Sequence, residues 1–164
     1  MARTWVRAVL VVLTSWVLVT GIGVNAASAH PATGDWRGNN TVCQASWCVR
    51  NGNLVRLWQA LVYADHPTLP PSFVDGGFGP NTHAYTVWWQ RQFGLDDDGE
   101  VGPNTWGLAN TRKGPGYLLG DGTGVVWRYH YYGRYAQVVL RQNTANGVWQ
   151  FKNPTTGVFI ETNH

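Results

Sequence analysis

The spacing of apolar residues changes character partway along the chain. Leu54, Leu57, Trp58 and Leu61 recur at i, i+3, i+4 and i+7, and Val55 and Val62 widen the stripe, which predicts an amphipathic helix. Asn51–Asn53 offer candidate N-caps, and Asp65-His66-Pro67 with Pro70-Pro71 end the helix. A second helix is predicted from Thr82 to Phe93, carrying Ala84, Tyr85, Trp88, Trp89 and Phe93, with Gly94 at its C′ position. A third begins near Pro103 and buries Trp106 and Leu108. After Lys113-Gly114-Pro115-Gly116, which reads as a linker, the period becomes two. Val125, Trp127, Tyr129 and Tyr131 share one face of a strand, with Arg128, His130 and Tyr132 on the other. Gly133-Arg134 fits a two-residue hairpin loop, and Tyr135–Gln142 answers with Ala136, Val138 and Leu140 on one side. Asn146-Gly147 and Asn153–Gly157 mark turns before strands at Val148–Lys152 and Val158–Thr162. The expected class is α+β: three helices, then an antiparallel meander of about four strands, small enough to pack on the helices rather than stand alone.

The helical part contains a repeat. Asp75-Gly76-Gly77-Phe78-Gly79-Pro80-Asn81-Thr82 returns 23 residues later as Asp98-Gly99-Glu100-Val101-Gly102-Pro103-Asn104-Thr105. Asp-Gly permits a tight turn with positive φ, and Phe78 or Val101 is the apolar plug. Gly-Pro suits the N-cap and N1 positions of a helix. Asn81/Thr82 and Asn104/Thr105 are then side chains able to accept hydrogen bonds from the free N–H groups of the first turn.

The order Trp58-Gln59, Asp75-Gly-x-Phe78-Gly-Pro-x-Thr82, Trp89-Gln90, Gly94-Leu95, Asp98-Gly-x-Val101-Gly-Pro-x-Thr105-Trp106 resembles the small three-helix peptidoglycan-binding domain attached to many bacterial cell-wall hydrolases. The resemblance covers about residues 50–112, the size of a small domain. Trp58 and Trp89 stand where that family usually has Leu and Phe, and the loop Ala64–Val74 is long. The resemblance implies peptidoglycan as partner and assigns Trp89 to the core. It also implies a peptide groove near the second helix and its preceding turn, made by Asn81, Tyr85, Trp88 and Arg91. In that groove Asn81 would hydrogen-bond a stem-peptide amide, Tyr85 and Trp88 would offer rigid apolar surface, and Arg91 would pair with a carboxylate. Tyr85 and Trp88 could equally dock the C-terminal segment.

Compartment and charge narrow the picture. Met1–Ala29 reads as a secretory signal peptide: Arg3 and Arg7, the apolar run Ala8–Val19, and the small-x-small site Ala27-Ser28-Ala29. Four segments follow: the signal 1–29, an N-terminal stretch 30–49, the helical domain 50–112 and a β region 113–164. Two arginines leave with the signal, so the remainder is nearly neutral and nothing favours nucleic acid as a partner. No membrane contact is expected after cleavage, and the expected state is a monomeric protein, secreted or associated with the wall. Cys43 and Cys48 are the only cysteines, and an even count in a secreted chain predicts a disulfide that pins a short turn and stabilises by ~2 kcal/mol.

Candidate chemistry is sparse. A His30 exposed by cleavage could chelate copper only with a second histidine on a β-sandwich, and the helical repeat argues against that scaffold. Asp96-Asp97-Asp98-Gly99-Glu100 suggests half a calcium loop, but alignment on Gly99 puts Gly94 and Thr105 at ligand positions they cannot fill. His66, His83, His130 and His164 lack zinc-ligand spacing. Asp121-Gly122-Thr123-Gly124 echoes an aspartic-protease loop in a single copy, and such a site needs two. No cofactor, metal or catalytic residue is therefore expected. The expected function is non-catalytic peptidoglycan binding; the alternatives are a small wall hydrolase using Asp121, His130 or Glu161 at the junction of the two regions, or a protein-interaction or inhibitor module carried by the tail.

Overall fold

The computed structural model describes residues 35–120 and 124–162. The expected signal peptide, His30, His164 and most of the Asp121–Gly124 motif lie outside them. Three helices, α1 (Asn53–Asp65), α2 (Pro80–Gln92) and α3 (Pro103–Thr111), precede five strands. These are β1 (Tyr117–Gly120), β2 (Val125–Tyr132), β3 (Gln137–Asn143), β4 (Trp149–Lys152) and β5 (Phe159–Glu161), in one antiparallel sheet ordered β1-β2-β3-β4-β5. The α+β class and the meander are as expected, with one strand more. The added strand is β1, immediately after the glycines read as a linker.

Helix boundaries follow the punctuation with one exception. Gly79-Pro80 and Gly102-Pro103 supply N-cap and N1 of α2 and α3, and Gly76 (φ 85°) and Gly99 (φ 73°) take the left-handed conformation expected of Asp-Gly turns. Gly94 ends α2 with φ 68°; its N–H donates to Arg91 O and that of Leu95 to Gln90 O, the paired bonds of a Schellman stop. The N-cap of α1, however, is Gly52 with no side-chain bond, while Asn53 Oδ1 accepts from Arg56.

Two features join the helices to the sheet in one core. The first is a chain of indoles, four of them buried and the last, Trp149, partly so. Trp89, Trp58, Trp106, Trp36 and Trp149 meet edge to face in that order, with centroid separations of 5.0, 5.6, 6.3 and 5.9 Å. Edge-to-face contact suits ring quadrupoles and adds about 0.5–1.5 kcal/mol per pair to the burial itself. Trp36 enters this chain from a short 3-10 turn, Trp36–Gly38, which packs on α3. The second is Asp65, fully buried at the end of α1. Its carboxylate accepts from Trp89 Nε1 (2.8 Å), Arg112 Nη2 (2.7 Å), Tyr131 Oη (2.5 Å) and the backbone N–H of Arg134 (3.0 Å). A charge removed from water needs partners of this quality, and four donors from α2, the end of α3, β2 and the following loop supply them.

That loop corrects the expected two-residue hairpin. Tyr132 pairs with Gln137, leaving four residues, Gly133–Ala136, between β2 and β3. Tyr135 and Ala136 both donate backbone N–H bonds to Ala64 O, so the loop closes over the C-terminus of α1 and satisfies its open carbonyl. A Cβ on Gly133 would stand 2.3 Å from that same oxygen, which is why the position is glycine. The linker is likewise part of the fold: Gly114 N–H donates to His130 O, and Lys113 pairs with Tyr131. The β2 face bearing Trp127, Tyr129 and Tyr131 packs on the helices with Val138, Leu140 and Phe151.

Lys113 lies over the rings of Trp149 (4.3 Å), Tyr129 (4.8 Å) and Trp36 (5.2 Å). Burial pushes its ammonium down to about 8, against the opposing pull of Asp35. Below about 8 it is charged folded and unfolded; between about 8 and its unfolded value near 10.5 only the unfolded chain keeps the proton, so stability rises with pH. Burial, then the neighbouring Asp65 carboxylate, raises the Tyr131 phenol. Above about 10 the unfolded chain therefore loses a proton that the folded chain retains, and stability falls. Urea unfolding should show a rise of about 1–2 kcal/mol from pH 8 to 10, reduced from the full shift by partial solvent access, then a decline. Lys113→Met should abolish the rise and leave the decline; an unchanged profile would contradict the assignment.

Candidate functional site

Each turn repeat is fixed by a buried glutamine on the helix before it. Gln59 Nε2 faces Asp75 Oδ1 (2.8 Å), Gly77 O (3.1 Å) and Thr82 Oγ1 (3.0 Å), and Gln59 Oε1 accepts from Gly76 N (2.7 Å). Gln90 repeats the pattern with Asp98 Oδ1 (2.8 Å), Glu100 O (2.9 Å), Thr105 Oγ1 (3.2 Å) and Gly99 N (2.9 Å). The threonines are therefore not helix caps. Thr82 and Thr105 turn back to donate to Gly77 O and Glu100 O, and neither α2 nor α3 has a side-chain N-cap bond. Phe78 and Val101 are buried as plugs. Each plug also pairs with an extended residue from upstream: Phe78 N–H donates to Arg50 O, and Val101 exchanges N–H···O bonds with Val42. The second repeat is thus completed by the N-terminal stretch.

The two copies differ in what surrounds them. Sixteen residues separate Gln59 from Asp75, but only eight separate Gln90 from Asp98. The longer connection carries a 3-10 turn, Pro71–Phe73, alongside the first repeat. Between this turn and the start of α2 lies an open groove of about 570 Å³. Leu69, Phe73 and Tyr85 give it apolar walls, Ser72 and Asn81 give polar edges, and the Gly77–Pro80 backbone lies along it. The corresponding groove at the second repeat, about 440 Å³, is lined instead by Asn104, Thr41 and the acids Asp96, Asp98 and Glu100.

Of the residues predicted to bind, Asn81 and Tyr85 line the first groove. Asn81 is exposed and makes no hydrogen bond among the described residues, so its amide faces solvent with full capacity. Trp88 stands one turn further along α2, outside the groove lining. It meets His66 edge on at 4.7 Å; His66 meets Tyr85 at 5.0 Å, and Tyr85 meets Phe73 at 5.3 Å. Trp88 therefore backs the groove wall through His66. Arg91 is exposed and salt-bridged to Asp97, whose carboxyl it holds below the usual range, chiefly by hydrogen bonding. His66 and Phe73 were not foreseen as members of this cluster. Nor were the roles of Gln59 and Gln90, although the Trp-Gln pair ahead of each Asp-Gly turn is a readable signal.

Cys43 and Cys48 are bonded, with Cα atoms 5.4 Å apart, and the loop they close holds Trp47 66% exposed. Asp121 lies outside the described residues. His130 and Glu161 sit on β2 and β5, three strand spacings or roughly 14 Å apart, and do not converge. Among the described residues no group of three or more His, Cys, Asp or Glu is placed to hold a metal ion. No described helix is long and apolar enough to cross a membrane.

Residues 50–108 match the family described as a putative peptidoglycan binding domain. The match spans both turn repeats, both glutamines and the groove, and reaches into α3, so the resemblance drawn from the turn motifs holds over the segment that carries them. No curated protein and no solved structure matches the chain.

Replacing either glutamine by leucine keeps the volume but strands a buried N–H and up to three acceptors, each costing about 1–3 kcal/mol if unmet. Relaxation and water entry soften that, and Gln59→Leu and Gln90→Leu should each lower stability in urea by about 3 kcal/mol. A loss below about 1 kcal/mol in either would contradict the role given to these amides.

Proposed function

We propose that the protein is a secreted, non-catalytic binder of cell-wall peptidoglycan that takes up a stem peptide in the groove between the Pro71–Phe73 turn and α2. Wall association follows from the peptidoglycan-binding domain over residues 50–108. The observation that carries the finer reading is the groove's composition: an open cleft with apolar walls from Phe73 and Tyr85 beside the uncommitted amide of Asn81. A stem peptide presents small apolar side chains between amides, and that pairing of methyl-sized surface with a donor–acceptor edge is what such a cleft accommodates. Trp88 supports Tyr85 through His66, and Arg91, close to the same stripe of α2, is the cation nearest in sequence for the peptide's terminal carboxylate once exchanged from Asp97. The disulfide and the leader-like Met1–Ala29 support export.

The test is retention on insoluble peptidoglycan. Tyr85→Ala should weaken binding at least about tenfold with an unchanged far-UV spectrum, Asn81→Ala by less, and Trp88→Ala by an intermediate amount. The unmodified protein should produce no clearing in a cell-wall zymogram. Tyr85→Ala and Asn81→Ala both binding like the unmodified protein would move the site elsewhere; clearing would establish a hydrolase.

A further inference from the structure

One face of the sheet is filled by the helices, and the other carries an ordered polar row. Strand register aligns Tyr117, Arg128, Arg141, Gln150 and Glu161 side by side from β1 to β5. Cross-strand partners project to the same side, so this row crosses the whole face turned away from the helical core. At its centre two guanidiniums are direct neighbours, an arrangement that repels unless an anion or a ring lies between. Both lie over the Phe159 ring, Arg141 at 4.1 Å and Arg128 at 5.6 Å. Arg141 also bonds Gln150, which donates to Glu161. Arg128 has no such arrangement: its Nε–H is buried and meets no acceptor among the described residues. An unmatched donor on a charged group is costly, and an anion on the rest of this half-buried guanidinium would offset part of that cost.

Beside Arg128 stands a ladder of rings. Tyr117 and His130 are nearly parallel (17°, 6.3 Å), as are His130 and Tyr132 (24°, 6.1 Å). His130 is held between Tyr117 Oη (3.4 Å) and Gln137 Oε1 (3.2 Å), so the ladder is positioned before any ligand arrives. Tyr117 is 46% and Tyr132 50% exposed, far more than core packing leaves. With Lys152 on the same face, the described cations Arg128, Arg141 and Lys152 outnumber the one acid, Glu161.

We propose that this face binds a carboxylated saccharide chain, specifically wall glycan strands stripped of their stem peptides, whose free lactyl carboxylates meet Arg128 while sugar rings lie against Tyr117, His130 and Tyr132. Aromatic surface accepts the apolar faces of pyranose rings, and a guanidinium accepts a carboxylate through paired N–H bonds. The proposal rests on the peptidoglycan reading above but uses a surface on the opposite side of the sheet from the helices. One protein would then hold peptide on α2 and bare glycan on the sheet.

The test measures binding of the full secreted chain to soluble glycan strands from which an amidase has removed the peptides. Arg128→Gln and Tyr132→Ala should each weaken binding about tenfold or more without shifting the thermal midpoint. Tyr85→Ala should leave it unchanged, so failure of the groove reading and failure of this one are separable. Amidating the strands' carboxylates should weaken binding by the unmodified protein about tenfold, a readout that does not depend on any variant folding, and neutral chitin oligosaccharides should bind as weakly. Stripped strands that are not bound, that bind equally after amidation, or that bind Arg128→Gln and Tyr132→Ala like the unmodified protein, would overturn the proposal. So would a concentration-dependent dimer that Tyr132→Ala dissolves, which would assign the face to a second copy.

Discussion

A buried carboxamide held against several backbone and side-chain partners fixes each turn repeat to the preceding helix, and the rest of the helical region is arranged around those two points. Gln59 and Gln90 are almost fully buried, so their polar atoms have no recourse to water. Satisfying them requires the Asp-Gly turn, the plug residue and the threonine of the next helix to be in place together. The glycine at the tip is obligatory because the turn needs positive φ just where its N–H must reach the glutamine oxygen. The same contact sets the entry angle of α2 and α3. It also builds the groove, since Asp75, Gly77 and Thr82, the partners of Gln59, all lie along it.

Two clusters, one polar and one apolar, join the sheet to this framework, alongside the loop closed on Ala64. Asp65 collects donors from elements on both sides of the expected boundary near residue 112, and the indole chain from Trp89 to Trp149 crosses it as well. The family match ends at Leu108, yet the segments outside it are not appendages. Val42 supplies the partner for Val101, and the Gly133–Ala136 loop closes the end of α1. The segment that resembles a known domain therefore shares a single core with two segments that resemble none.

Much of this was legible because local chemistry and global fold agree. The repeat, the Gly-Pro helix starts, the Gly94 stop and the alternation along β2 each follow from a local rule, and each appears where the residues place it. What was not legible depends on long-range pairing. Asp65 looks like a residue in a helix-ending run, and its partners Tyr131 and Arg134 lie more than sixty positions away. The hairpin looked like a two-residue turn because Gly-X fits one; packing on Ala64 made it four. β1 was missed because Tyr117–Gly120 is an exposed edge strand without alternation. At the first groove, the resemblance pointed to Asn81 and Tyr85, which line it. His66 and Phe73 were not foreseen, since the long loop that brings them in has no period of its own.

The two grooves show how loop length changes the surroundings of a duplicated structural device. Both repeats have the same glutamine clamp, yet only the first has eight extra residues to raise an apolar wall, and the second has three acids to the first's one, with Thr41 of the N-terminal stretch beside it. A structural device used twice thus leaves one copy beside an open groove with apolar walls. The most direct test of that account is an amide chemical-shift titration of the labelled protein with a soluble, glycan-free stem peptide. The account predicts that the largest saturable shifts cluster at Ser72, Phe73, Gly77, Asn81 and Tyr85, with β2, β3 and the second repeat unmoved. Shifts confined to the sheet or to the Asp96–Glu100 loop, with the first groove silent at saturation, would contradict it.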